Sequence, residues 1–489
     1  MSDNRHFNQL VAAGRPVGEI VSVNRFLISV KGLQPINAHA LVMFEDGSKG
    51  FVRQVDEASV QILHLGTASL QVGMTVVEQH NELVTKVGKD FVGRVVGVTG
   101  NPLDGKGPIA ADAAWPVFNE APMLYKRELL DKQLATGVTV IDGLFPLVRG
   151  QRMALLGDSK SGKSSLATQI VLNQTSTDEI AIYVLIAKRR SDVDALISLL
   201  ESQDAMKSAI VVVAMMNESL VLSYLAPYVG CALGEYFWQK IGQDVLVIYD
   251  DLTSHAEVYR EISLLAGASP GRDSYPGDIF FAHSSLLERA GKLAANHKTF
   301  TCVPLVLTPG GDITAYLSTN IMSITDGQWI LDMNIFRETV RPALSTGLSV
   351  TRVGGRGQNQ RQQKQSVQAL KTLAAYAEAQ QFSRFGSEMG AEATRNLARG
   401  KNLQELFTQK SNQTFSLTCQ QLMLDIILNA KASEIIDVGA LKSHVQAFAA
   451  KLTDDTNFEQ ISQDLKTMCL IEQAAPQKEP AEQQAGASK

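Results

Sequence analysis

Residues Gly157 to Ser164 read Gly157-Asp158-Ser159-Lys160-Ser161-Gly162-Lys163-Ser164, which fits the pattern G-x-x-x-x-G-K-[ST]. Glycines at both ends let the backbone turn tightly and present successive N–H groups to phosphate oxygens. In that pattern Lys163 reaches the β- and γ-phosphates, the Ser164 hydroxyl ligates Mg2+, and Ser165 continues the first helical turn. The loop works only between a strand and a helix whose N-terminal dipole faces the anion. Both flanks are present: Met153 to Leu156 is a short apolar run, and Leu166 to Gln174 carries apolar residues at helical spacing. A chance match in a surface loop would not come with those flanks. The expectation is a site for a nucleotide triphosphate inside an α/β domain.

A phosphate loop needs a second part, an acid at the end of a buried strand that holds Mg2+ through water. The run Val245 to Tyr249 ends in Asp250 and Asp251. Asp250 is the metal candidate; the competing reading is a helix N-cap, which suits Asp251 better. The runs MALLG, AIYVLIA, AIVVVAMM and DVLVIYDD are nearly continuous in apolar residues, as in strands buried on both faces of a parallel sheet. Helical spacing returns between them, for example in Val193 to Gln203, so strands and helices alternate.

At 489 residues, with 45% apolar and 19% charged, the chain has room for several cores without disulfides or metals. The reading is a multidomain chain. An N-terminal β-barrel spans 1–90, where short alternating runs are punctuated by turns such as Glu45-Asp46-Gly47-Ser48, a spacing that also suits a half-sandwich. An α/β P-loop nucleotide-binding domain spans 91–356, entered through the loop-rich boundary Gly93 to Ile109. A C-terminal α-helical domain spans 357–470, rich in Gln, Ala and Lys, and a low-complexity tail at 471–489 is expected to be disordered. The net charge of -5 gives no general field for nucleic acid. Scattered Cys231, Cys302, Cys419 and Cys469 form no metal or dithiol motif. The polar start MSDNRHFNQL lacks a secretory core, and no apolar run reaches the roughly 18 residues of a membrane span, so a cytosolic protein is expected. His283 and the acids near Glu288 read as interfacial or capping, and Met215-Met216 as core.

With both motifs placed, a family resemblance becomes specific. VRGQRMALLGDSKSGKSS, LAPYVGCALGEYF, VLVIYDDLTSHAEVYREISLL, GRDSYPGDIFFAHSSLLERAGKL, STNIMSITDGQW and RPALSTGLSVTRVG resemble segments of the α subunit of F-type ATP synthase. The resemblance orders the chain as barrel, RecA-like nucleotide domain and helical domain. It implies an alternating heterohexamer with β subunits around a central-stalk γ subunit, docked to peripheral-stalk subunits. The membrane sector is touched only indirectly, and no nucleic acid is involved. The implied place is the cytoplasmic face of a bacterial inner membrane, in a machine that makes ATP from ADP and phosphate using a proton or sodium gradient. The implied cofactors are ATP and Mg2+. The resemblance also implies that Arg352, with Ser349 ahead of it, is lent to the catalytic site of the neighbouring β subunit. There a guanidinium stabilises the γ-phosphoryl transition state. The plain alternative is a salt-bridged arginine at a strand end. Phe336 and Arg341 match the adenine pocket, and Gln409 matches the first of two glutamines that close it.

Departures from the family carry information too. Catalytic members place a glutamate after the strand that follows the phosphate loop, and α subunits usually have glutamine there; this chain has Lys188. An ammonium cannot accept a proton from water, so the chain is expected to bind nucleotide without hydrolysing it. Ser411 replaces the second pocket glutamine, the loop interior 158–161 departs from the usual Arg-Gln-Thr stretch, and the stretch ahead of Pro16 is short for stalk docking. A divergent or alternative bacterial ATP synthase is the expectation. The rivals are a self-sufficient homohexameric secretion-type ATPase, which requires the missing glutamate, and an RNA-translocating hexamer. The latter requires aromatic and basic residues interleaved on the barrel, where Phe26, Phe44 and Phe51 read more simply as core.

Overall fold

The computed structural model describes residues 2–67, 69–384, 391–431, 434–452 and 457–471. From 472 onward the expected tail lies outside the described residues. The protein divides into two compact units: Met1–Gln363 with Phe407–Leu417, and Lys364–Leu406 with Thr418–Lys489.

The first unit begins with helix α1 (Ser2–Ala12), whose Phe7 is buried against Met43 and Val77 of the barrel. Six antiparallel strands follow: β1 (Val17–Asn24), β2 (Leu27–Lys31), β3 (Leu41–Phe44), β4 (Lys49–Val55), β5 (Val60–His64) and β6 (Thr75–His80). They close in the order β1-β2-β5-β4-β3-β6. Side chains alternate along each strand, and on β3 both faces are covered. Ile28, Val42, Val52 and Ile62 fill the barrel interior. Their neighbours Leu27, Leu41, Phe51 and Leu63 point outward into the core shared with the α/β part. That double burial makes β3 wholly apolar, whereas β1 turns Glu19, Ser22 and Asn24 to solvent.

The α/β part is built on a sheet whose strands are β7 (Val95–Gly97), β8 (Ala154–Gly157), β9 (Ile180–Lys188), β10 (Ala209–Met215), β11 (Val245–Asp250), β12 (Thr299–Leu307), β13 (Gly327–Leu331) and β14 (Val350–Thr351). Their order is β14-β13-β8-β12-β11-β9-β10-β7, with the short strand Gly291–Lys292 added beside β12. Every pairing from β13 to β7 is parallel, and β14 is antiparallel. The stretch expected as a loop at Gly93 to Ile109 therefore contributes an edge strand, β7, and the loop after it is pinned by a two-pronged Arg94–Asp104 pair at 2.7 and 2.9 Å.

One other expectation is sharpened and two are corrected. The apolar helix running Leu220–Ile241 is long and apolar enough to cross a membrane, yet 83% of its apolar window is buried in this domain, so it is a core helix. His283 is fully buried and sits 3.1 Å from His255, which places it in the core rather than at a cap or interface. Met216 is 59% exposed and fills no core, because it lies just past the end of β10.

The second unit is helical, with helices Gln360–Arg384, Ala391–Phe407, Leu417–Leu428, Val438–Ala449 and Phe458–Met468. Leu417–Leu428 supplies its apolar centre, burying Leu422, Met423, Ile426 and Ile427.

Candidate functional site

The site is assembled at the carboxyl ends of β8, β9 and β11, where open parallel sheets place their ligands. β8 ends at Gly157, and the loop leads into helix α2 (Lys163–Asn173). Two glycines make that loop. A Cβ at Gly157 would stand 2.5 Å from Ser161 Oγ. Gly162, the residue before the helix, has φ 100°, a left-handed conformation that side chains resist. Asp158 closes the loop from outside, accepting from Ser159 N at 2.6 Å and Gly310 N at 3.1 Å. Lys163 folds back so that its Nζ donates to the carbonyls of Gly157 and Asp158, both at 2.8 Å. Burial lowers its pKa, partly offset by Asp251 and Asp250.

One cavity of about 480 Å3 is lined by Lys160 to Ser165 on one side and by Phe336, Arg341 and Gln409 on another. Of the residues expected around the phosphates and the base, Lys160 to Ser165, Phe336, Arg341 and Gln409 share one space, while Gly157, Asp158 and Ser159 do not line it. The Arg341 guanidinium lies 3.3 Å from the Phe336 ring centroid, and its Nη1 donates to Phe336 O at 2.6 Å and Val340 O at 2.8 Å. Gln409 lines the cavity, but its amide is committed elsewhere. Its Oε1 accepts from Thr139 N and Oγ1, each at 3.1 Å, and its Nε2 donates to Gly137 O at 2.7 Å. Lys410 and Ser411 complete the wall beside it. Lys410 follows Gln409 directly, and that adjacency was its only sequence signal.

A second cavity, about 410 Å3, adjoins through Ser164 and Ser165 and is walled by Tyr183, Lys188 and Asp250. Here the local backbone decides the chemistry. Between Leu185 and Lys188 β9 carries one residue more than its partner β10. Ala187 takes φ 51° in that bulge, at an expected cost of about 1 kcal/mol or more. The bulge lies immediately before Lys188, whose Nζ lies 2.7 Å from Asp250 Oδ1 and 2.8 Å from Asp251 Oδ2. Burial opposes the lysine's charge, but the two carboxylates outweigh it and raise its pKa above the usual lysine range. Asp250 Oδ2 accepts from the fully buried Tyr183 hydroxyl at 3.0 Å. Asp251 Oδ1 caps the helix Leu252–Leu265 by accepting from Ser254 N at 2.7 Å, so Asp251 both caps and pairs, as expected. Tyr183 went unread in the sequence; its signal was one hydroxyl inside the apolar run AIYVLIA.

This donor set bears on Mg2+. Ser164 lines both cavities, and a hydroxyl there fits a cation carried in by phosphate. Asp250 does not fit the role of an open carboxylate, because each of its oxygens already accepts a hydrogen bond or an ion pair.

Arg352 and Ser349 do not line these cavities. Ser349 is buried, its Oγ accepting from Ile330 N at 3.0 Å. Arg352 is exposed. Its guanidinium donates to Met322 O at 3.3 Å and Thr325 O at 3.2 Å. Those carbonyls end the helix Tyr316–Ile324, whose dipole favours a cation there. The arrangement leaves the arginine on the outside of its own domain.

Two family models match: the nucleotide-binding domain of the ATP synthase alpha/beta family over residues 137–351, and the C-terminal domain of the same ATP synthase alpha/beta proteins over 360–478. Among curated relatives, ATP synthase subunit alpha 1 of Nitrosomonas eutropha is 38% identical over 461 residues, 90% of each protein. ATP synthase subunit alpha 2 of Legionella pneumophila is 38% identical over 459 residues, covering 91% of this sequence and 88% of the relative. The ATP synthase subunit alpha of Caldanaerobacter subterraneus is 36% identical over 453 residues, covering 92% and 89%. Phosphate loop, sheet, barrel and helical unit therefore agree with sequence kinship along nearly the whole length, and the chain belongs to the ATP synthase alpha/beta family as an α subunit of the F-type ATP synthase.

Proposed function

We propose that this chain is a non-catalytic, ATP-holding subunit that lends Arg352 to a neighbouring catalytic site. The observation that carries the reading is Lys188. It stands where a water-orienting carboxylate would be needed, and it is an ammonium locked between Asp250 and Asp251. Such a group has no lone pair to offer water, so in-line attack on a γ-phosphate lacks its base. The loop, Lys163, and the Phe336–Arg341 pair remain suited to hold a nucleoside triphosphate without consuming it. Gln409 shapes the base end through the backbone it braces. The Ser164 hydroxyl would hold Mg2+, which would neutralise phosphate charge there, whereas Asp250 is already paired.

The partners proposed are β subunits in an alternating hexamer, the central-stalk γ subunit and the peripheral-stalk subunits, with no nucleic acid. The place is the cytoplasmic face of a bacterial inner membrane, and the reaction supported is ATP synthesis driven by a proton or sodium gradient. The exposed Arg352, fixed by helix-end carbonyls, supports its use outside its own domain. The test compares steady-state hydrolysis by the purified protein with that of the complex assembled with β and γ subunits. Turnover is expected only from the complex, with Arg352→Ala lowering it about a thousandfold. Unchanged turnover in that variant would remove the arginine's role in trans.

A further inference from the structure

We infer that Lys188 takes over, as a resident cation, part of the work a divalent metal does at a phosphate loop, so that this site binds ATP nearly as well without Mg2+ as with it. The inference rests on the reading of the loop as an ATP site and deepens it.

A metal at such a loop does two things: it neutralises the phosphates, and it links them to the acid at the end of the central strand. Lys188 already occupies that link. Its ammonium is 2.7 Å from Asp250 Oδ1 and 2.8 Å from Asp251 Oδ2. An ammonium has three donors, so one remains for a phosphate oxygen. The same cavity is lined by Ser164 and Ser165 at the start of the phosphate-loop helix, so Lys188 and the phosphate end open on one space.

Each oxygen of both carboxylates already accepts one partner. Asp250 Oδ2 takes the Tyr183 hydroxyl at 3.0 Å, and Asp251 Oδ1 takes the helix N-terminus through Ser254 N at 2.7 Å. A hydrated Mg2+ drawn to Asp250 would come up against the Lys188 ammonium already paired there, and displacing it would leave a charge unpaired in a largely buried setting. Three carboxylate and ammonium groups with a net charge of one minus also hold a dication less firmly than two free carboxylates would. The backbone is committed to this arrangement, since the bulge at Ala187, with φ 51°, immediately precedes the ammonium.

The experiment titrates the purified full-length protein with ATP in excess Mg2+ and again in EDTA, reading the dissociation constant calorimetrically. Lys188→Gln, which exchanges the ammonium for a neutral amide, is measured in parallel. The expected result for the unaltered protein is a difference of less than about threefold between the two conditions, with Lys188→Gln weakening about tenfold or more in EDTA. A loss of about tenfold or more by the unaltered protein in EDTA overturns the inference, whatever the variant does. Equal indifference to EDTA in Lys188→Gln also overturns it, since the lysine would then not be the cause. Absence of ATP binding in both conditions sinks the ATP-site reading itself and this inference with it, a result distinct from metal dependence.

Discussion

At Lys163 and Lys188 the same side chain is used in opposite ways. Lys163 has only neutral carbonyls within hydrogen-bonding reach and is left available to an anion, whereas Lys188 is held by two carboxylates. Removing the first should therefore weaken ATP binding by about tenfold to a hundredfold, the worth of a charge-assisted contact to phosphate, with the fold intact. Equilibrium titration of Lys163→Ala, with circular dichroism as the control, measures this. A separate residue carries a pH signature. Glu179 is buried and faces Arg149 Nε at 3.3 Å without hydrogen-bonding geometry, and burial pushes its carboxyl up to about 7 despite Arg149. In the native state it keeps a proton that the unfolded protein releases near 4.5. Between those values the native state binds more protons, so stability falls as pH rises from about 4.5 to 7 and levels off above. The drop should be on the order of 3 kcal/mol or less. Glu179→Gln should flatten that slope in denaturant titrations. A slope of equal size in the variant would assign it to other groups.

Among the elements, the helix Leu220–Glu235 is tied to its surroundings by a two-pronged ion pair buried almost completely. Arg289 donates to both oxygens of Glu235 at 2.7 Å, and Trp115 and Asn119 donate to the same carboxylate at 3.2 and 3.0 Å. Arg289→Leu leaves that carboxylate without its cation in the core, so a loss of about 3–5 kcal/mol is expected in denaturant unfolding. The elements also show what a sequence can carry. Long periodic segments such as β9 to β11 and the phosphate-loop helix were legible, because burial on both faces writes a continuous apolar run. The edge strand β7 was not, because three residues among glycines and prolines become a strand only through pairing with β10. Helix α1 was missed because it is polar and anchored chiefly by Phe7. At the site, the positions of the loop, Asp250, Phe336 and Arg341 beside two adjoining cavities were readable from motif and resemblance, although Asp250 was read as a metal ligand and is paired instead. The ammonium bridge was not, because it depends on the bulge at Ala187 and on two acids brought beside it by the fold. The commitment of Gln409 to Thr139 was hidden for the same reason, as the two are distant in sequence and meet only after folding.

At the scale of the whole molecule, the proposal is of a subunit whose own loop holds ATP idle while the exposed Arg352 acts on a neighbouring site. The rivals separate at this scale. A self-sufficient hexamer would hydrolyse ATP as a single species, and an RNA motor would bind RNA with a steep salt dependence. The most direct measurement follows the fate of bound nucleotide: the purified protein is loaded with labelled ATP, freed of excess, incubated, and its nucleotide extracted. The label is predicted to be recovered as ATP, with Lys163→Ala retaining little label at all. Conversion to ADP over successive turnovers, abolished by Lys163→Ala, would contradict the idle-site reading.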